Sequence, residues 1–193
     1  MFKTTQEILD NLGDYSSPRC RLQRLVSDGT YTPIIRGMYE TDPDTPGRCI
    51  ASVIREPSYL SFKYALSVHG VIPEGEYEFT SATHSTHRTK AYDTPFGRFT
   101  YRDVPKQVFG YGVGMESERG YQVWTACPEK ALCDQLYIMP PQRSVSGVEG
   151  TVLDDLRVFE WALDRMDIDM LRTICPLYRS SSTDCFLRMM ERR

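Results

Sequence analysis

Apolar positions in the first forty residues recur twice at helical spacing and then alternate, which predicts two helices followed by a β-hairpin. The polar run Thr4 to Glu7 caps the first helix, which continues to Leu12. Ser16 or Ser17 caps the second helix, which begins at Pro18, since proline suits the first turn of a helix. Two helices and a hairpin outline a winged helix. It is an abbreviated one, because that fold normally places three helices before its wing.

Residues 41–47 are polar and rich in proline and glycine, which predicts a linker between this small unit and the rest of the chain. Two helices are predicted after the linker. The first carries Ile50 and Ile54 on its inward face, and the second begins with Ser61 as its N-cap and ends at Gly70.

Between residues 77 and 124 the pattern changes to the period of two that is typical of strands. The segment 109–115 alternates large residues with Gly110, Gly112 and Gly114, so one face of this predicted strand carries no side chains. Such a face allows another segment to approach the backbone closely. The glycine spacing does not fit a dinucleotide-binding loop, and no helix follows it.

Residues 140–193 are predicted to form a loop followed by helices. The loop covers residues 140–150, and an apolar stripe predicts one helix over residues 152–163. A short helix is predicted to end before Pro176, and Ser181 or Ser182 caps the final helix.

These elements predict an α+β fold with three parts. A winged-helix-like unit occupies residues 1–40, the linker occupies residues 41–47, and an α/β domain occupies residues 48–193. The domain is expected to have a mixed or antiparallel sheet and a helical C-terminal segment. At 193 residues the chain is long enough for a small unit and a domain with its own core.

Composition agrees with a soluble globular protein, since 40% of the residues are hydrophobic and 25% are charged. No apolar run approaches the roughly 18 residues that span a bilayer, so no membrane association is expected. The first twenty residues include Asp10, Asn11 and Asp14 and lack the apolar centre of a secretion signal. A cytoplasmic location is therefore expected.

The six cysteines are scattered and form no Cys-x-x-Cys pair, so they do not predict a zinc site. We expect free thiols, most of them acting as small core residues.

The net charge of −3 means that any nucleic-acid surface must be local. The best local candidate is the second helix with the hairpin turn, and its predicted DNA-binding residues are Ser17, Arg19, Arg21, Arg24 and Arg36. A solvated helix face explains these arginines equally well. With Lys3 they make five positive charges, which five nearby carboxylates balance: Glu7, Asp10, Asp14, Asp28 and Glu40.

The three histidines do not predict a metal site or a catalytic residue. His84 and His87 lie three residues apart in a predicted hairpin tip, with no carboxylate or cysteine nearby in sequence to complete a site. His87, Arg88 and Lys90 can instead contact phosphate or a partner, and a solvated polar turn is the alternative. His69 is predicted to lie at a helix end, bonded to a carbonyl group.

Glu129 and Lys130 follow Pro128, which predicts the start of a helix that runs to about Ile138. A carboxylate beside a lysine also occurs in metal-dependent nucleases, at a strand end near a second acid. At a helix start, Glu129 instead lies at the positive end of the helix dipole. Lys130 can then pair with Asp134, four residues further on. Both interpretations stay open at this point.

Four sequence blocks, taken in order, resemble the AbiEi-like antitoxins of type IV (abortive infection) toxin–antitoxin systems. The first block begins with Pro-Ser-Tyr-Leu-Ser at residue 57 and ends with His-Gly at residue 70. The polar segment 83–90 and the Thr-Pro-Phe-Gly turn at residues 94–97 follow it. The last block, residues 125–134, reads Thr-Ala-Cys-Pro-Glu-Lys-Ala-Leu-Cys-Asp and is a hallmark of the fold in that family.

This resemblance implies a non-enzymatic antitoxin and transcriptional regulator. Its partner would be a cognate nucleotidyltransferase-like toxin, and its N-terminal unit would bind the operator DNA of its own genes. The sequence shows no nucleophile–base pair, metal cluster or phosphate loop, so no catalytic residue and no cofactor are predicted.

Two other classes of function are the alternatives. One is a metal-dependent nuclease-like enzyme using Glu129 and Lys130, and the other is a protein-interaction scaffold without DNA binding. If the chain is an antitoxin, we expect the antitoxic activity to reside in residues 48–193, where the resemblance is concentrated.

Overall fold

The computed structural model describes all 193 residues. The N-terminal unit contains two helices and a three-stranded antiparallel sheet with the strand order β1-β3-β2. Its elements are β1 (Lys3–Thr4), α1 (Thr5–Asn11), α2 (Pro18–Ser27), β2 (Thr32–Ile35) and β3 (Met38–Glu40). Both predicted helices and the hairpin are confirmed. Only β1 was not predicted, because a two-residue strand exists only through its pairing with β3.

Local signals define where α1 and α2 begin. The backbone N–H of Glu7 donates to Oγ1 of Thr4 over 3.3 Å, and the Thr4 N–H donates to Oε2 of Glu7 over 2.7 Å, which makes a capping box. Ser17 is the N-cap of α2 and Pro18 its first residue, but the Ser17 hydroxyl makes no capping hydrogen bond.

The second sheet has six strands in the order β6-β7-β5-β4-β9-β8. Its strands are β4 (Tyr59–Leu60), β5 (Glu78–Thr83), β6 (Lys90–Thr94), β7 (Gly97–Asp103), β8 (Val113–Glu118) and β9 (Tyr121–Ala126). The pairs β4–β9 and β5–β7 are parallel and the other pairs are antiparallel, so the sheet is mixed. With the helices, this arrangement is an α+β fold, as predicted.

The rest of the chain contains seven helices. They are α3 (Gly47–Ile54), α4 (Phe62–Val68), α5 (Pro128–Ile138), α6 (Val145–Gly150), α7 (Glu160–Leu163), α8 (Ile168–Tyr178) and α9 (Ser181–Met190). Of these, α3, α4 and α5 pack on this sheet. None of the helices is long and apolar enough to cross a membrane. The larger of two hydrophobic clusters joins the sheet to α4 through α9, and the smaller joins it to α3.

The N-terminal unit packs directly on the rest of the chain. Ile34 of β2 is 4% exposed and belongs to the same hydrophobic cluster as Ile50 and Tyr121. Glu40 is fully buried, and its carboxylate accepts a hydrogen bond from the Tyr121 hydroxyl. Within the segment predicted as a linker, Thr45 is buried. Residues 41–47 therefore connect two units that share one hydrophobic cluster.

The glycine-alternating segment is not a strand over its whole length, which corrects the prediction for residues 109–115. Residues 106–108 form a 3₁₀ turn, and β8 begins only at Val113. Gly112 interrupts the extended backbone with a φ of +62°. The predicted close approach is nevertheless found at this one glycine, where a Cβ would lie 2.2 Å from Cε of Met170. Gly110 faces open space.

The C-terminal segment differs from its prediction in two places. Residues 145–150 form α6 instead of a loop. The stripe at residues 152–163 is not one helix, because residues 151–155 form a π-helical turn in which the Leu156 N–H donates to the Thr151 carbonyl. The chain then runs irregularly to α7.

Pro176 lies inside α8 instead of after it. It occupies the last turn of that helix, where the ring removes one hydrogen bond and leaves the preceding turns intact.

Candidate functional site

Helix α2 presents the predicted DNA-binding residues. Leu22 is the buried residue of α2, and Arg19 and Arg24 of the same helix are exposed. Arg21 is half-buried, and its guanidinium lies 5.5 Å from the centre of the Tyr15 ring. Helix α2 therefore presents two exposed arginines and a third that is half-buried beside Tyr15.

The two other predicted DNA-binding residues are also exposed. Arg36 is exposed at the turn between β2 and β3, which is the wing position of a winged helix. Ser17 is exposed with an unused hydroxyl. Cys20 is an exception to the expectation that most thiols lie in the core: it is exposed, because it lies about half a turn from Leu22 around the helix.

None of the five basic side chains of this unit forms an ion pair within 4.0 Å; they are Lys3, Arg19, Arg21, Arg24 and Arg36. The nearby carboxylates bond elsewhere. Glu7 closes the capping box, Asp10 accepts from Gln6, and Asp28 accepts from Thr30. The charge balance seen in the sequence is thus not a direct pairing, and the cations remain available to an anionic ligand.

The segment that carries His87, Arg88 and Lys90 is not a hairpin tip, which corrects the prediction. Strands β5 and β6 are not neighbours, because β7 lies between them. Residues 84–89 therefore pass over the end of β7. All three side chains are exposed there.

Asp103 at the end of β7 fixes this crossing segment. Its carboxylate accepts hydrogen bonds from the Thr83 and Thr86 hydroxyls, at 2.7 and 2.6 Å, and from the N–H groups of Thr86 and His87, both at 2.7 Å. Partial burial raises the pKa of Asp103, but the bonds from Thr86, Thr83 and the two backbone amides outweigh it and lower the pKa to about 2. The segment is held by one charged acceptor.

Replacing Asp103 with Asn should lower the free energy of unfolding at pH 7 by about 1–2 kcal/mol, since one pKa unit is worth about 1.4 kcal/mol and partial exposure reduces the effect. The folded pKa lies below the unfolded value, so this stability is present above about pH 4 and is lost as the pH falls toward 2. Urea unfolding between pH 7 and pH 2 measures this pH dependence.

Asp93→Asn is the control, because Asp93 is exposed and bonds only to Arg98, at 3.4 Å. Equal losses in the two variants would contradict the role given to Asp103.

The two histidines of this segment, His84 and His87, have different surroundings. The ring of His84 lies 4.6 Å from that of Phe109, centre to centre, and its Nδ1 is 3.1 Å from the Ser85 hydroxyl. His87 points to solvent. No group of three or more His, Cys, Asp and Glu side chains in the chain could hold a metal ion. His69 caps the end of α4, and its Nε2 lies 2.8 Å from the Ala126 carbonyl oxygen, as its predicted role requires.

A buried polar network centres on Asp134. Oδ2 of its carboxylate accepts from the Tyr59 hydroxyl at 3.0 Å and from the Ser61 hydroxyl at 2.7 Å. Oδ1 accepts from Lys130 and, at 2.5 Å, from the Tyr178 hydroxyl. Every side chain of this network is at most 3% exposed. The network is an ion pair with three hydroxyl donors, enclosed in the protein core.

This network corrects one prediction and confirms another. Ser61 precedes α4 but does not cap it, because its hydroxyl is bonded to Asp134. Lys130 and Asp134 pair across one turn of α5, as their spacing predicted. Burial raises the pKa of Tyr59 and of Tyr178, and the negative charge of Asp134 adds to the effect, so both hydroxyls stay protonated and donate.

The side chains that a nuclease would use do not reach solvent together. Lys130 is fully buried in the Asp134 network. Glu129 is 8% exposed, and its Oε1 accepts from the backbone N–H of Asp167, which joins the start of α5 to the start of α8. Both residues thus connect elements of the core.

Sequence reasoning did not find Asp103 or Tyr178. Each is far along the chain from its partners, and an isolated Asp or Tyr carries no local pattern that would mark it. Searches of known protein families and of curated proteins find no match to the chain.

Proposed function

We propose that this protein is the antitoxin and transcriptional regulator of a type IV, abortive-infection toxin–antitoxin system. In this proposal it acts in the cytoplasm without enzymatic activity, counteracts a nucleotidyltransferase-like toxin, and binds the operator DNA of its own genes through α2.

The observation that carries the DNA-binding part is the unpaired basic surface of the N-terminal unit. Arg19 and Arg24 project from the second helix of a winged-helix-like unit, and Arg36 lies on its wing. In helix-turn-helix proteins this helix enters the major groove. Arginines without carboxylate partners can bond phosphate oxygens without first breaking an ion pair.

The antitoxin part rests on the family resemblance, and contacts between two of the four sequence blocks support it. The first block supplies Tyr59 and Ser61, and the last supplies Lys130 and Asp134. These residues, up to 75 positions apart, meet in one hydrogen-bonded network. The first and last of the four blocks therefore meet in one buried arrangement. The enclosure of Lys130 and the core contact of Glu129 support a role without catalysis.

Replacing Arg19 and Arg24 together with Ala should weaken binding to the DNA upstream of the gene and reduce its salt dependence. Each phosphate contact contributes about 0.9 to the slope of log K against log salt concentration, so the double variant should lower that slope by roughly 1.8. Fluorescence anisotropy over a series of salt concentrations measures the effect.

The control for this experiment replaces Arg143 and Arg188 with Ala. Both are exposed, form no ion pair and lie in the C-terminal half, so the net charge changes equally. An unchanged slope in the Arg19/Arg24 variant would argue against α2 and direct attention to Arg88 and Lys90. Absence of binding by the parent protein would remove the operator-binding part of the proposal.

A further inference from the structure

A cavity of about 690 Å³ lies where the N-terminal unit meets the larger part of the chain. Phe2 and Met38 of the N-terminal unit line the cavity. The end of α3 and strand β9 line it from the larger part of the chain. Ligand sites typically have volumes of about 300–1,000 Å³ and occur preferentially between structural units. The size and position of this cavity fall within the range of small-molecule sites.

Five of the 16 residues that line the cavity are aromatic: Phe2, Tyr59, Phe109, Tyr121 and Trp124. The hydroxyl of Tyr59 is bonded to Asp134 and that of Tyr121 to Glu40, so both tyrosines have their polar ends engaged elsewhere. Trp124 is 40% exposed although it is a large apolar residue. The cavity therefore offers ring surfaces to a ligand.

Glu56 is the only charged residue among those that line the cavity. Its carboxylate is exposed and takes part in no hydrogen bond or ion pair, whereas the nearby Ser58 hydroxyl is already bonded to the Arg55 carbonyl. No lysine, arginine or histidine lines the cavity. An unpaired carboxylate beside electron-rich ring faces attracts a positive charge and disfavours a negative one.

We infer that this cavity binds a small organic cation with an apolar, aromatic-sized body. The body packs on Trp124 and Phe109, and the positive group contacts ring faces and pairs with Glu56. This site is separate from the basic surface of α2 and does not depend on the proposed antitoxin role. Because Phe2 and Met38 belong to the unit that carries α2, a ligand in the cavity contacts both units at once.

Three probes of nearly the same shape test the inference by calorimetry on the full chain: benzamidinium, neutral benzamide and anionic benzoate. Benzamidinium should bind saturably and at least about fivefold more tightly than benzamide, because it adds a cation–π contact and an ion pair. Benzoate should bind most weakly. Equal affinity for benzamidinium and benzamide, or saturable binding of none of the three, would overturn the inference.

Variants then locate the site. Glu56→Gln should lower the affinity for benzamidinium and leave that for benzamide unchanged, so that only the preference due to the cation–π contact remains. Trp124→Ala should lower the affinity for both benzamidinium and benzamide. Glu116→Gln is the matched control, since Glu116 is exposed on β8 and does not line the cavity.

An effect of Glu116→Gln equal to that of Glu56→Gln would mean general charge attraction and would reject the site. The protein could instead form a stable dimer in solution that binds none of the three probes and in which Trp124 fluorescence is protected from quenchers. That result would reject the small-molecule site and assign the cavity to a second copy of the chain.

Discussion

Replacing Lys130 with Met should lower the free energy of unfolding by about 3–5 kcal/mol, the cost of leaving a buried charge without its partner. Methionine has nearly the same length and volume as lysine, so packing changes little. The carboxylate of Asp134 keeps its hydroxyl donors but loses the only positive charge bonded to it. A loss of this size is a large part of the stability of a typical domain, about 5–15 kcal/mol.

Removing both charges should not restore full stability. In the double variant Lys130→Met with Asp134→Leu, the hydroxyls of Tyr59, Ser61 and Tyr178 lose their acceptor. A buried hydrogen-bonding group left without a partner costs about 1–3 kcal/mol. We therefore expect the double variant to remain less stable than the parent protein, unlike a simple buried pair that can be exchanged for apolar residues without loss.

Urea unfolding followed by circular dichroism measures both variants. Arg172→Met is the matched control. Like Lys130, Arg172 is a cation in an ion pair, here with the carboxylates of Asp169 and Glu191, but it is exposed. An exposed ion pair contributes only about 0–1 kcal/mol. If Lys130→Met and Arg172→Met lower the free energy of unfolding by similar amounts, the burial of the Asp134 network does not add to its stabilising effect.

Elements with local signals could be predicted from the sequence. The capping box between Thr4 and Glu7 defines the start of α1, and Pro128 defines the start of α5. Each signal involves residues within one helical turn of each other. Such contacts depend little on the rest of the fold, so the pattern alone is sufficient.

Elements determined by distant partners could not be predicted in this way. Ser61 is a favourable N-cap residue, but Asp134, 73 positions away, takes its hydroxyl. The segment 109–115 alternates like a strand, yet Gly112 turns the chain where it packs against Met170. In both cases a contact made in the folded core overrides a valid local preference.

The candidate DNA surface was more predictable than the core network. Arg19 and Arg24 lie in a helix whose start Pro18 marks, and long charged side chains are mostly exposed. Whether their charges are cancelled could not be read from the sequence. That depends on where each carboxylate bonds, and Glu7 and Asp28 bond within their own turns.

The full chain should restore growth when co-expressed with a nucleotidyltransferase-like toxin encoded beside its gene, and the Arg19→Ala/Arg24→Ala variant should restore it equally. The resemblance to antitoxins is concentrated in residues 48–193, and the two arginines lie outside that part. The same variant should no longer repress a reporter placed behind the upstream DNA. Colony counts under induced toxin and reporter activity measure the two functions separately.

Substitutions test the location of the antitoxic activity better than truncation does. Cutting the chain before residue 48 removes Ile34 from the hydrophobic cluster it shares with Ile50, so loss of rescue by the fragment would reflect loss of packing as well as loss of a binding surface. In the full chain, the arginine variant keeps every core contact. If it is soluble and folded at the parent's level yet fails to restore growth, neutralisation belongs to the N-terminal unit. If the parent itself fails against its neighbouring toxin, the antitoxin proposal is wrong, whatever the arginines do on DNA.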